Sequence, residues 1–249
     1  MIGSSAHPQT RALHRHHARR YQRTLGLMAG VVIIALLLAT FGFFGTVAWG
    51  ALTQAVAYTT YRIAIAYAIA FALGVSIALL VGWSPISEFF FPIFDVLQNL
   101  PSFALLPFFI YFLGYTNQMI ILFAVSSIIW PILFAVLTAI KSAHADLNDA
   151  ATIFGARGFR RIPYYLAPLS LPAILTGSIV GIAIGWEAVI GAEIIANMMG
   201  FGAFIKDTDM TGVSQTAIAG ILVILVIVFI INRLVWAPLL SESSRRYAE

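Results

Sequence analysis

Long apolar runs alternate with short polar breaks along the chain, and the breaks are spaced as in a protein whose helices cross a bilayer. The runs fall at about 27–44, 61–81, 89–113, 119–140, 170–195 and 216–236, with a weakly amphipathic lead-in at 49–60 ahead of the second. A span needs about 20 predominantly apolar residues, so each run reaches or approaches that length. Each is apolar on all sides rather than striped, as expected where lipid and neighbouring helices share one helix surface. The third run is interrupted by Pro92, Pro101 and Pro107, and the fourth contains Pro131. Such continuous runs exclude an outer-membrane barrel, whose strands alternate over short segments. The pattern predicts an all-α, polytopic membrane helical bundle of about six transmembrane helices.

Composition agrees with that reading. The 249 residues are 61% hydrophobic and only 10% charged, with a mean hydropathy of +0.94. A soluble domain carries about 25% charged residues. The absence of cysteine excludes thiol catalysis, cysteine-ligated zinc and iron–sulfur centres. The cations divide by side. With six spans and the amino terminus inside, twelve of the 14 Lys and Arg fall in cytoplasmic segments, and only Arg62 and Lys206 fall outside. This positive-inside bias predicts that both termini face the cytoplasm. The organisation is then a basic tail at 1–24, a membrane domain at 25–240 and a short tail at 241–249. The first tail holds Arg11, Arg15, Arg19, Arg20 and Arg23 with His14, His16 and His17. A metal-binding reading of these histidines exists, but a solvated basic segment beside anionic headgroups is the simpler one, so no metal site is predicted. The net charge of +4 comes from such anchors and gives no support to nucleic-acid binding.

The most informative polar segment is the insert at 141–163. Asp146 is suited to cap a helix, and Asp149, three residues on, complements the free N–H groups of its first turn. Ala150 and Ala151 favour helix, and Gly155 stands where a left-handed residue would end it after about two turns. Arg157, Arg160 and Arg161 open a second short element before Pro163. A helix with paired alanines and with Leu147, Ile153 and Phe154 nearby suits a groove on another protein, while a headgroup anchor is the alternative.

Asp149-Ala150-Ala151, then Gly155-Ala156, and Leu171-Pro172 further on resemble the EAA loop of type I ABC importer permeases. The segments Gly82-Trp83-Ser84-Pro85, Leu97-Gln98-Asn99-Leu100-Pro101-Ser102, Phe112-Leu113-Gly114, Trp130-Pro131, Trp186, Glu193 and Gly200-Phe201-Gly202 are similar to its nitrate/sulfonate/taurine (bicarbonate) branch. The resemblance covers about 52–205 and rests mainly on the loop. It implies a permease subunit that binds no ATP and pairs with a second copy of itself. A cytoplasmic ABC ATPase dimer would hold the nucleotide, and an extracytoplasmic solute-binding protein would deliver a small polar solute, such as nitrate, a sulfonate or bicarbonate. The location implied is a bacterial or archaeal cytoplasmic membrane. Asp149, Ala150, Ala151, Gly155 and Arg157 are then the expected ATPase-coupling residues. Two departures stand out. Asp149 replaces the usual Glu and is one methylene shorter, and Gln98 stands where many relatives carry a cation, so an anion site relying on that charge is weakened.

An ionisable side chain at the bilayer centre costs about 2.5–3.5 kcal/mol on insertion scales, so polar groups within spans invite functional readings. Gln98, Asn99, Ser102 and Glu187 are the expected translocation-path residues, with interhelical hydrogen bonding as the alternative. Glu187 and Glu193, six residues apart, point in different directions at about 100° per residue. Glu193 is read as supporting the fold or the outer mouth, Arg62 as an interfacial anchor, and Gly177, Gly181 and Gly185 as a helix-packing stripe. A secondary transporter or channel is the competing function, but neither an internal repeat nor a carbonyl-rich filter motif is apparent. Enzyme chemistry has no foothold, because His144 is the only histidine outside the tail and no nucleophile elbow accompanies it. No P-loop is present either, so ATP would be bound by a partner.

Overall fold

The computed structural model describes Gly30 and residues 48–84, 86–143, 145–210 and 214–247. The basic tail with its histidines, the first apolar run apart from Gly30, and His144 lie outside the described residues. Among the described residues the chain forms helices and turns without strands. The helices are α1 (Trp49–Trp83), α2 (Ser87–Gln98), α3 (Ser102–Leu113), α4 (Asn117–Lys141), α5 (Ala145–Ile153), α6 (Ala167–Ala196), α7 (Phe201–Met210), α8 (Ser214–Ile231) and α9 (Ala237–Tyr247). A π turn at Ile162–Leu166 leads into α6, and another at Asn232–Trp236 joins α8 to α9. Among the described residues, four continuous helical stretches are long and apolar enough to cross a membrane: Trp49–Trp83, Asn117–Lys141, Gly158–Ala196 and Thr216–Ser243.

Local chemistry sets the boundaries. Thr116 caps α4, its Oγ1 accepting from the Met119 N–H at 3.2 Å. Gly114 ends α3 at φ +64°, and Asn197 ends α6 at φ +52°. The lead-in and second apolar run are one helix: α1 has 35 residues and a length of about 52 Å. The third run is not one span. It divides into α2 and α3, which meet at 89°. Pro101 causes the break: it stands as the N-cap of α3 in an extended conformation, and the residue before a proline avoids the helical region.

Helix α4 is the centre of the bundle, packed between α1 and α6. Phe123, Ala124, Ile128 and Ile132 of α4 are fully buried against Ala66 and Ala70 of α1 and Val189 and Ala192 of α6. The predicted glycine stripe makes this closeness possible. A Cβ on Gly177 would lie 2.7 Å from the Pro131 carbonyl oxygen, and one on Gly185 would lie 2.8 Å from Ile128 Cδ1. Backbone approaches of this kind drive helix association where lipid is as apolar as the side chains. By contrast α2 buries no residue fully, and α3 buries only Leu106.

Candidate coupling surface and membrane path

The insert folds largely as its residues dictate. Helix α5 ends in a paired-bond glycine cap: the Gly155 N–H donates to the Thr152 carbonyl at 3.2 Å and the Ala156 N–H to the Ala151 carbonyl at 2.9 Å. Gly155 has φ +85°, so the expected left-handed stop is present there. Asp146 is not the cap. The helix begins at Ala145, which puts Asp146 inside the first turn, where its charge still complements the helix dipole. Asp149, Gly155 and Arg157 are exposed, and Ala150 and Ala151 are half-buried.

The loop presents apolar surface. Ile153 is 82% exposed and Phe154 90%. Behind this tip lies a groove of about 680 Å³, lined by Leu147, Ala151, Phe154, Arg160, Tyr164 and Tyr165 among others. Two tethers hold the loop to the bundle. Arg161 Nη2 donates to Asn148 Oδ1, joining α5 to the start of the α6 stretch. The Phe159 ring packs on Trp83 at the end of α1, with centroids 5.5 Å apart. Two adjacent large apolar side chains are thus exposed on a tethered projection.

Three of the other candidate residues, Gln98, Asn99 and Ser102, lie at the α2–α3 break, and Glu187 lies within α6. Gln98 Nε2 donates to Asp95 Oδ1 at 2.7 Å, and Asn99 Nδ2 donates to the Asp95 carbonyl oxygen at 2.6 Å. Asn99 is exposed, and Gln98 and Ser102 are half-buried. The neighbour of Ser102, Phe103, packs so closely on Gly191 of α6 that a Cβ there would overlap the ring. Gly191 is one turn beyond Glu187 on the same side of α6. Phe103 thus reaches α6 one turn away from Glu187. Glu187 is itself exposed, in a stripe that includes Thr176, Val180, Ala183 and Ile195.

Arg62 does not sit at an interface as an anchor; it is 2% exposed, and Glu193 is fully buried beside it. Arg62 Nη1 donates to Glu193 Oε1 at 2.6 Å and to the Met199 carbonyl at 2.6 Å. Its Nη2 and Nε reach Asn117 Oδ1 at 2.6 and 3.1 Å. Thr59 Oγ1 lies 2.8 Å from Glu193 Oε2 and accepts the Phe201 N–H, while the Gly202 N–H donates to Glu193 Oε2 at 2.9 Å. Glu193 thus meets both a guanidinium and the first turn of α7. A Cβ at Gly200 would overlap the Glu193 carboxyl, which accounts for glycine there. The signal available in the sequence was the pair of opposite charges in separate apolar stretches, each costly without the other.

The sequence matches a known family. Residues 70–236, more than half of the chain, match the model of the binding-protein-dependent transport system inner membrane component. The chain is 28% identical over 192 residues to the taurine transport system permease protein TauC of Escherichia coli, covering 77% of this chain and 68% of that protein. It is 27% identical over 184 residues to the nitrate import permease protein NrtB of Leptolyngbya laminosa, covering 72% and 65%. It is 26% identical over 188 residues to the bicarbonate transport system permease protein CmpB of Synechococcus elongatus, covering 75% and 67%. The chain thus spans about two thirds of the length of these relatives. By the extent of the family match, this chain belongs to the inner-membrane permease components of binding-protein-dependent transport systems.

Proposed function

We propose that a homodimer of this chain forms the translocation path of an ATP-driven importer, with ATP bound and hydrolysed in a separate cytoplasmic ATPase dimer. A solute-binding protein on the far side of the membrane delivers the solute. Both termini face the cytoplasm, and the membrane domain occupies 25–240. The observation that supports this reading best is the tethered α5 tip, with Ile153 and Phe154 exposed above a glycine cap. In the coupling role, Asp149, Ala150 and Ala151 form the helix that enters the ATPase cleft. Gly155 gives the sharp stop, and Arg157 flanks it with charge. Closure of the ATPase dimer displaces α5, and the bundle alternates between inward and outward openings.

Gln98, Asn99, Ser102 and Glu187 line the path in this reading. Gln98, Asn99 and Ser102 stand where proline breaks the helix, and irregular backbone at membrane depth is tolerated where it lines a watery cavity. The solute is a small polar molecule, and the nitrate and bicarbonate relatives support small anions such as nitrate, a sulfonate or bicarbonate. Asp95 and Glu187 favour a second reading, a zwitterion whose positive group meets a carboxylate. Calorimetry of the cognate binding protein with nitrate, bicarbonate and taurine separates the two. Proteoliposomes test the mechanism: uptake of the bound solute is expected only with permease, ATPase, binding protein and internal or external ATP on the ATPase side. Uptake by the permease alone contradicts the reading.

A further inference from the structure

One face of α4 runs the length of the helix as a rail of rings that ends in a cation. At about 100° per residue, Phe123, Trp130, Phe134 and Lys141 fall in a sector of about 40°. The bent pair is fastened to this rail on both sides of its break. Beyond the break, the Phe103 and Phe109 rings of α3 stand 5.7 and 5.9 Å from Phe123. Before it, Phe94 of α2 stands 6.3 Å from Trp130 and Phe91 stands 5.6 Å from Phe134. The final fastening differs in kind: Lys141 Nζ lies 3.8 Å from the centre of the Phe91 ring. Lys141 is the last residue of α4 and the first of the insert, so it joins the α5 loop to α2 directly. Phe91, Phe94 and Gln98 share one side of α2, which makes that helix a short rod between Lys141 and the polar break.

We propose that Lys141, held over Phe91, is a positioning residue that passes displacement of the α5 loop along α2 to the break carrying Gln98 and Asn99. The inference rests on the ATPase-coupled reading above and adds to it a route. A cation on an aromatic face resists separation without covalent strain, and its attraction survives small sliding motions. Helix α2 buries no residue fully, and its rings Phe91 and Phe94 are partly buried against the cluster that α4 shares with α1 and α6, with the Lys141 end nearest the α5 loop.

Hydrogen–deuterium exchange on the permease–ATPase complex in nanodiscs, with and without ATP and vanadate, tests this. In the wild type the nucleotide is expected to change exchange both in the loop at 145–160 and around the break at 96–102. In Lys141→Met the loop response stays, while the response at 96–102 falls by about threefold, as loss of one exposed cation–π contact predicts. Lys141→Arg restores it, which a merely structural defect would not allow, and Phe91→Leu reproduces the Met variant. An unchanged response at 96–102 in Lys141→Met overturns the proposal, as does a wild type that responds in the loop but not at the break. A wild type that responds in neither segment overturns the ATPase-coupled reading itself.

Discussion

The two ends of α4 solve opposite problems. At the Asn117 end, a buried guanidinium and carboxylate are enclosed by Thr59, Asn117, the Met199 carbonyl and the first N–H groups of α7. At the Lys141 end, apolar rings stand in the open on a glycine-capped projection. The first end satisfies its polar groups internally and offers a partner little to complete. The second withholds its apolar groups from the core, leaving Ile153 and Phe154 exposed. In the proposed function the first end is fixed and the second is the one that a partner engages. A buried ion pair of this kind is weak evidence of stability in itself, but its loss on one side only is costly.

The largest effect in this comparison is expected from Glu193→Ala, which leaves Arg62 buried without its carboxylate. The cost is about 3–5 kcal/mol, or roughly a 10 °C drop in the unfolding midpoint of the detergent-purified protein. Removing both charges in Arg62→Met/Glu193→Leu should recover a large part of that loss. A single variant that melts with the wild type would break the picture of a fixed end. Next in size is Gly177→Ala, whose added methyl meets the Pro131 carbonyl and Ile132 Cα, backbone atoms that cannot swing aside. Thermal unfolding should register about 1–3 kcal/mol of overpacking. The smallest change in stability belongs to Phe154→Asp, within about 0.5 kcal/mol, because the ring has almost no neighbours to lose. Its functional effect should be the reverse of small: co-purification with the ATPase is expected to fail while the permease remains folded.

Much of this architecture was legible in the residues, for identifiable reasons. Run length placed α4 and α6, because a bilayer imposes a length that water does not. The small-residue stripe on α6 announced close helix packing, though not that α4 is the partner, and Gly155 announced the end of α5, since few other residues adopt that φ. Hydropathy could not show that the 89° bend at Leu100 and Pro101 makes two helices of one apolar run. Averaging over a window discards direction. Arg62 was misread for a related reason: position near the start of an apolar stretch suggests an interface, whereas the true helix begins at Trp49 and takes Arg62 inside. The rail on α4 was hidden because aromatic residues in an apolar span resemble lipid-facing ones until a partner helix is placed beside them.

The proposed coupling requires the α5 tip to meet the ATPase. The natural chain has no cysteine, so a single introduced thiol reports one position without background. Site-directed cross-linking in membranes should compare Ile153→Cys with Tyr61→Cys, the latter 57% exposed on α1 beside the buried ion pair. The account predicts an adduct with the ATPase subunit from Ile153→Cys and none from Tyr61→Cys. Absence of an ATPase adduct from Ile153→Cys, or equal adducts from both, would contradict it.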